Sequence, residues 1–281
     1  MKRNLDFFIT TKSRKIENNE TKGKKEIKSE MKSVINEYKN ELKQNETNKS
    51  EIEMKTPQKQ TYLPLAEKQR PMKLEEIVGQ EHILGKNTPF NAMIRNDNIQ
   101  STIIYGPPGV GKTTIAKIIE NSTKNHFVSL SATTAKKEDF KKVIEEAKKR
   151  KKFGQNTVLF VDEIHVLNKL QQDTFLPSIE NGTIILIGAT TQNPSFELNN
   201  ALMSRCQLIT LNKLQETDIV KILRNAIDCQ YNMTELDLDE EALYFLAILS
   251  NGDARNALKF LEKIFANFKL MNKQKLQTIM R

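Results

Sequence analysis

The sequence predicts an α/β fold built on a parallel sheet, followed by a small all-α lid and preceded by a disordered basic tail. Three observations carry this. Short apolar runs at 101–105, 127–131, 158–161 and 183–188 alternate with helix-periodic segments, as strands buried on both faces of a parallel sheet do. Beyond residue 211 the strand pattern gives way to helical periodicity. Residues 1–60 are dominated by Lys, Glu, Asn, Ser and Thr with almost no apolar clustering, too little buried surface to offset chain entropy. The expected parts are a basic tail (1–60), an αβα core (61–211) and a helical lid (212–281).

Composition sets outer bounds. The 281 residues are 38% hydrophobic and 6% aromatic, with a formal net charge of +9, which suits a globular protein carrying some disordered mass and points toward polyanion partners. No apolar run approaches the roughly 20 residues that span a bilayer, and the apolar run at residues 5–9 is too short for a signal-peptide core; no membrane partner is expected. Cys206 and Cys229 form no C-x-x-C, and His82, His126 and His165 are scattered, so a reducing compartment without structural zinc is expected.

The tail carries 15 basic against 10 acidic residues, a surplus of five in the net +9. It reads either as a solvated linker or as an arm drawn to nucleic acid or to nuclear import. Met31, Val34, Ile35, Tyr38 and Leu42 would line one face of a short helix formed on a partner. The segment NLDFFI at 4–9 resembles the paired-aromatic peptides that plug into sliding DNA clamps, through Leu5, Phe7 and Phe8. Met1 stands where those peptides have Gln and Asn4 where they prefer an aliphatic residue, so incidental apolar residues in a tail are the other reading.

Along the core, Pro64 and Pro71 punctuate the chain, and a short helix is expected from Lys73 to Val78, closed by Gly79-Gln80. After the first strand come a helix at 115–120, a strand at 127–131 and a Lys-rich helix at 138–152 with Phe140, Val143, Ile144 and Ala147 inward. A strand at 158–161 ends in Asp162-Glu163, a helix covers 168–179, a strand at 183–188 ends in Ala189-Thr190-Thr191, and a helix covers 198–203. Lid helices are expected at 217–229, 239–249, 254–268 and 273–280, the second opened by Asp237, Asp239 and Glu240-Glu241.

The stretch GPPGVGKTT at 106–114 stands where the first strand hands over to a helix. In this G-x-x-x-x-G-K-[ST] pattern, Gly106 and Gly111 let the backbone curl so that the N–H groups of Gly106, Pro107-Pro108-Gly109-Val110, Gly111, Lys112, Thr113 and Thr114 (prolines excepted) turn toward phosphate oxygens. Lys112 then reaches the β- and γ-phosphates and Thr113 holds Mg²⁺. In a parallel sheet the ligand lies at the carboxyl ends of the strands, where VLFVDEIH delivers Asp162 to the metal and Glu163 to the attacking water. His165 reads as a packing or hydrogen-bonding residue.

Thr190, at the next strand end, is placed to hold that water and sense the γ-phosphate, although a hydroxyl there is also ordinary turn chemistry. Arg205 has two readings, a local salt bridge or a finger reaching a neighbouring subunit's nucleotide. Cys206 beside it reads as a small apolar filler. Arg255, in the first turn of a lid helix, is either a surface charge or one aimed at the γ-phosphate.

Taken together, PLAEKQRPMKLEEIVGQEHILG, YGPPGVGKTT, FVDEIHVLNKLQQDTFLPSIENGTIILIGATTQNPSFELNNALMSRC and GDARNAL resemble the RarA/Mgs family of AAA+ ATPases, also called the Werner-helicase-interacting ATPases. The resemblance covers residues 61–281. It implies an AAA+ parallel-sheet core with a helical lid, ATP and Mg²⁺ as nucleotide and cofactor, and Ile77 and Val78 near the adenine. It implies a hydrolytic site of Lys112, Thr113, Asp162 and Glu163, sensors at Thr190 and Arg255, and action of Arg205 on a neighbour's ATP. It further implies a DNA-dependent ATPase of replication-fork maintenance and repair, acting on forks, gaps or single-stranded ends as a homo-oligomer, in the nucleus of a eukaryote or the cytoplasm otherwise. A clamp-loader subunit and a non-hydrolysing nucleotide-binding scaffold are the alternatives.

Three departures accompany the resemblance. Val166-Leu167 stand where family members carry an arginine-aromatic pair after DEIH. The tail has no cysteine for the zinc finger of eukaryotic members. The family's C-terminal oligomerisation domain has no counterpart before Arg281, so ring contacts are expected of the ATPase module itself.

Overall fold

Val158, Leu159, Val161, Ile184 and Leu186 are all 0–1% exposed because helices cover both faces of the sheet they form. The computed structural model describes residues 63–230 and 238–267. The tail features and the helix expected at 273–280 lie outside these residues. Five strands, β1 (Thr102–Tyr105), β2 (His126–Ser131), β3 (Thr157–Asp162), β4 (Ile184–Thr190) and β5 (Gln207–Thr210), pair in parallel in the order β2-β3-β4-β1-β5.

Alternation assigns the strand residues to two cores. Val158 and Phe160 join Ile104, Ile187, Ala189 and Ile209 on one face, packed against Ile115, Ala116 and Ile119 of the helix Lys112–Ser122. Leu159 and Val161 join Ile103 and Leu186 on the other, under Phe140, Ile144 and Ala147 of the helix Lys137–Lys151. Before the sheet come α1 (Leu65–Lys68), a 3-10 turn (Leu74–Glu76), α2 (Glu81–Leu84) and α3 (Pro89–Arg95), followed within the sheet by α4 (Lys112–Ser122) and α5 (Lys137–Lys151).

The helix expected at 168–179 is two helices, α6 (Lys169–Asp173) and α7 (Leu176–Glu180). Pro177 explains the break, since its ring has no N–H to donate and clashes with a helical carbonyl four residues back, at Asp173. Phe175 sits fully buried at the break, edge-on to Phe140 with ring centres 5.5 Å apart. An unforeseen α8 (Pro194–Glu197) precedes the helix expected at 198–203, which starts late as α9 (Asn200–Met203) because Asn199 caps it, accepting from Leu202 N at 2.6 Å. Only the 3-10 turn occupies the expected helix from Lys73 to Val78. β5 was not foreseen, and Ile209 is its one buried residue.

Three helices follow the sheet, α10 (Glu216–Gln230), α11 (Glu240–Ser250) and α12 (Ala254–Asn267). Ile219, Leu223, Ala242, Leu243, Leu246, Ala257 and Leu261 form their core, and Leu65 of α1 belongs to it. Leu65 N also donates to Glu262 Oε1 at 2.9 Å. Residues 65–68, grouped by sequence with the sheet, therefore pack on the helical layer.

At the joint between sheet and helices one side chain pairs with both polar groups of a backbone residue. Gln80, buried and with φ 63°, donates from Nε2 to Asn212 O at 2.7 Å and accepts from Asn212 N at 2.9 Å. Replacing Gln80 with Ala leaves both backbone groups unpaired, a loss of about 1–3 kcal/mol. A lower urea midpoint at unchanged slope is the expected result.

Candidate nucleotide-binding site

The turn from β1 to α4 is a backbone device. Gly109 and Gly111 have φ of +70° and +108°, which only glycine adopts without strain. A Cβ on Gly111 would meet nothing within 4 Å, whereas one on Gly109 would lie 1.8 Å from Asp253 Oδ1. The loop is thus open on one side and covered by the start of α12 on the other, where Ala254 N donates to Gly109 O at 3.3 Å. The free N–H groups of the first turn of α4, with the positive end of its dipole, complete the cradle.

Lys112 is 7% exposed, and its Nζ donates to Gly106 O at 2.8 Å and Pro107 O at 2.7 Å. Burial pulls its pKa below the usual lysine range, while the carboxylates of Glu163 and Asp162 work against that shift by favouring the charged form. Those carboxylates come from the end of β3. Glu163 has φ 52°, a left-handed conformation unusual for a non-glycine residue, and it turns the chain into the 3-10 segment Ile164–Val166. Its Oε2 accepts from Thr191 Oγ1 at 3.4 Å and lies 3.3 Å from His165 Nδ1.

One cleft gathers most of the expected residues. Ile77, Val78, Pro108, Gly109, Val110, Gly111, Lys112, Thr113, Thr114, Asp162, Glu163 and Arg255 all line it. Gly106 and Pro107 stand behind it, meeting Lys112 through their carbonyls.

Thr190 does not line it. Thr190 is fully buried, its hydroxyl taken by Gln192 and His165, and Thr191 reaches the cleft instead. Arg205 lies outside the cleft as well. Its Nε donates to Glu180 Oε1 at 2.7 Å and its Nη1 to Ala201 O at 2.7 Å, so within one chain the local ion pair is the contact it makes.

Sequence reasoning did not single out Arg70, Ile222, Asn225 and Leu258, which also line the cleft. The last three come from α10 and α12, and only the packing of those helices brings them here. Arg70 pairs with Glu67 at 2.6 Å, and its buried Nε has no hydrogen-bond partner.

These features fit a triphosphate with Mg²⁺. An open glycine turn faces backbone donors, Arg70 has a spare donor, and the Thr113 hydroxyl and Asp162 carboxylate are hard oxygen ligands. Among the described residues no group of three or more His, Cys, Asp or Glu side chains could hold a metal ion. A cation here therefore has few protein ligands and is completed by phosphate and water, the habit of Mg²⁺.

Cys206 packs against the core that includes Phe175 and Leu202, and burial pushes its thiol pKa up to about 11. At pH 8 only about 0.1% of such a thiol is ionised, and the thiolate is the reactive form. N-ethylmaleimide should label exposed Cys229 in the folded chain and spare Cys206, and label both in urea, as mass spectrometry of the peptides would show.

Comparison with known proteins agrees with this geometry. Residues 102–214 match the family described as ATPase family associated with various cellular activities (AAA). Replication-associated recombination protein A of Coxiella burnetii is 46% identical over 212 residues, covering 74% of this chain and 48% of that protein. The Escherichia coli K12 protein of the same name is 43% identical over 205 residues, covering 72% and 46%. ATPase WRNIP1 of Dictyostelium discoideum is 42% identical over 206 residues, covering 73% and 24%. The chain thus spans about half the length of the bacterial relatives and a quarter of the Dictyostelium one.

Among solved structures, the Thermotoga maritima RuvB Holliday junction branch migration motor superposes with TM-score 0.62 at 24% identity, over 75% of this chain and 72% of that one. That likeness concerns the fold. The family match and these relatives place the chain among the AAA+ P-loop ATPases, a family that uses ATP with Mg²⁺, and within them it belongs to the RarA/Mgs family.

Proposed function

We propose that this chain is the ATP-hydrolysing module of a DNA-dependent enzyme that remodels DNA or clamp complexes in replication-fork maintenance and repair. The observation that carries the reading is the single cleft in which Lys112 and Thr113 face Asp162 and Glu163 while Arg255 approaches from the helical layer. Lys112 exchanges its loop carbonyls for the β- and γ-phosphates, and Ile77 and Val78 offer the adenine an apolar wall. Thr113 and Asp162 hold Mg²⁺, which when bound neutralises charge on the phosphates. Glu163 orients the attacking water and accepts its proton.

Thr191 takes the contact with the γ-phosphate region that sequence assigned to Thr190, which braces it from behind. Arg255 couples the nucleotide to the angle of α12, and Arg205 leaves Glu180 to act on a neighbouring subunit's nucleotide in a homo-oligomer.

A DNA partner is supported by the names of the relatives and by charge. Lys148, Lys149 and Lys152 are exposed, form no ion pair among the described residues and stand close in sequence to Phe153, which is 89% exposed. Cations beside an exposed aromatic suit a single strand, whose bases stack and whose phosphates pair. Forks, gaps and single-stranded ends are the proposed substrates. The proposed compartment follows the DNA, the nucleus in a eukaryote and the cytoplasm otherwise. No described helix is long and apolar enough to cross a membrane.

ATP turnover with and without forked or single-stranded DNA, beside Lys112→Ala and Glu163→Gln, tests this reading. DNA-stimulated turnover in the parent chain alone is expected; equal background turnover in all three overturns it and leaves a nucleotide-binding scaffold. Co-purification with a multi-subunit loader, rather than self-association, would assign it to the clamp loaders. The proposed clamp contact through Leu5, Phe7 and Phe8 is tested by titrating residues 1–15 against a sliding clamp, and falls if Phe7→Ala with Phe8→Ala changes nothing.

A further inference from the structure

His165 does not line the nucleotide cleft, yet it touches two residues that matter there. Its Nδ1 lies 3.0 Å from Thr190 Oγ1 and 3.3 Å from Glu163 Oε2. The hydrogen on that nitrogen follows from the neighbours. Thr190 Oγ1 accepts from Gln192 N at 3.1 Å and gives its single proton to Gln192 O at 3.2 Å. With that proton on Gln192 O, the acceptor position left on Oγ1 faces Nδ1, and the Glu163 carboxylate on its other side can only accept, so both neighbours favour a hydrogen on Nδ1.

The backbone makes the arrangement deliberate. Glu163 takes a left-handed φ of 52°, and Val166 N donates to Glu163 O at 2.9 Å. This tight turn folds the His165 ring back over the residue two before it. Thr190 ends β4 and its carbonyl accepts from Gly106 N at 3.3 Å, so the same imidazole bridges the acidic pair to the strand bordering the phosphate loop.

We infer that His165 is a positioning residue, whose ring, hydrogen-bonded through Nδ1 to Thr190 and set 3.3 Å from the Glu163 carboxylate, fixes the direction in which that carboxylate addresses the cleft. The inference rests on Glu163 acting as the base proposed above. Glu163 has three rotatable bonds and a side chain 35% exposed, and among the described residues its Oε2 meets Thr191 Oγ1 at 3.4 Å and His165 Nδ1 at 3.3 Å. A base that points elsewhere for most of the time lowers the rate of the chemical step without loosening the substrate.

The kinetic test is a series at position 165 in the full chain. His165→Leu should lower kcat for ATP about tenfold with KM within about twofold. His165→Asn, whose amide nitrogen falls near the Nδ1 position, should restore most of the turnover, and His165→Gln, whose nitrogen falls near Nε2, should not. Parent-like kcat in His165→Leu, or equal loss in the Asn and Leu variants, overturns the assignment.

A second readout needs neither nucleotide nor turnover. In the ¹⁵N spectrum of the parent chain His165 should carry its hydrogen on Nδ1, and that resonance should move in Glu163→Gln while those of His82 and His126 stay. A bare Nδ1 overturns the inference even if the Leu variant fails to fold. If turnover survives in Glu163→Gln, the base assignment falls and the inference with it. If it is lost in Glu163→Gln but normal in His165→Leu, the inference falls alone.

Discussion

Glu163→Gln should abolish turnover and leave ATP binding intact. The amide keeps the shape of the side chain and one oxygen able to accept from Thr191, while Lys112, Thr113 and Asp162 are unchanged. What disappears is the ability to take a proton from water, which in general-base catalysis is worth about 10²–10⁴ in rate. Phosphate release should fall by that factor with the equilibrium affinity for ATP within about twofold. Equal loss of binding and turnover would instead mean that Glu163 holds the nucleotide or the fold.

Arg205→Ala carries the other large expected effect. Within one chain Arg205 pairs with Glu180, the two side chains being 34% and 51% exposed, and such an ion pair contributes about 0–1 kcal/mol. A purely local role therefore predicts normal turnover and a barely altered melting temperature. Action on a neighbouring subunit predicts a fall of about 10³-fold or more at the same stability. Mixing Arg205→Ala with Lys112→Ala discriminates further, because each supplies what the other lacks and the mixture should recover turnover that neither shows alone. Recovery in the mixture requires sites completed across subunits; its absence, with a normal Arg205→Ala enzyme, confines Arg205 to its salt bridge.

The phosphate loop and the acidic pair were legible because their chemistry is local. Two glycines at a strand-to-helix handover, a lysine beside them and a carboxylate at the end of an apolar strand state their geometry within a few residues. The Thr190-Thr191 pair was not legible. Neighbouring strand residues point to opposite sides, and which threonine faces the cleft depends on where β4 ends, a matter fixed by its pairing to Tyr105 and Gly106.

Contacts between distant segments left no trace in the sequence. Gln80 reaches Asn212 across 132 positions, and Ile222, Asn225 and Leu258 join the cleft only because α10 and α12 pack as they do. β5 escaped because an edge strand with one buried residue lacks an alternating apolar pattern. Pro177 was visible, and its two-residue offset from the buried Phe175 is what the uninterrupted helical reading of 168–179 overlooked.

Equilibrium titration of ATP and Mg²⁺ into the whole chain bears most directly on the central claim, that the cleft between Lys112 and Asp162 is the nucleotide site. One site per chain is expected, with affinity reduced at least tenfold by Lys112→Ala and by omission of Mg²⁺, a lesser loss in Asp162→Asn, and none in Glu163→Gln. Equal affinity in the parent chain and in Lys112→Ala would contradict it.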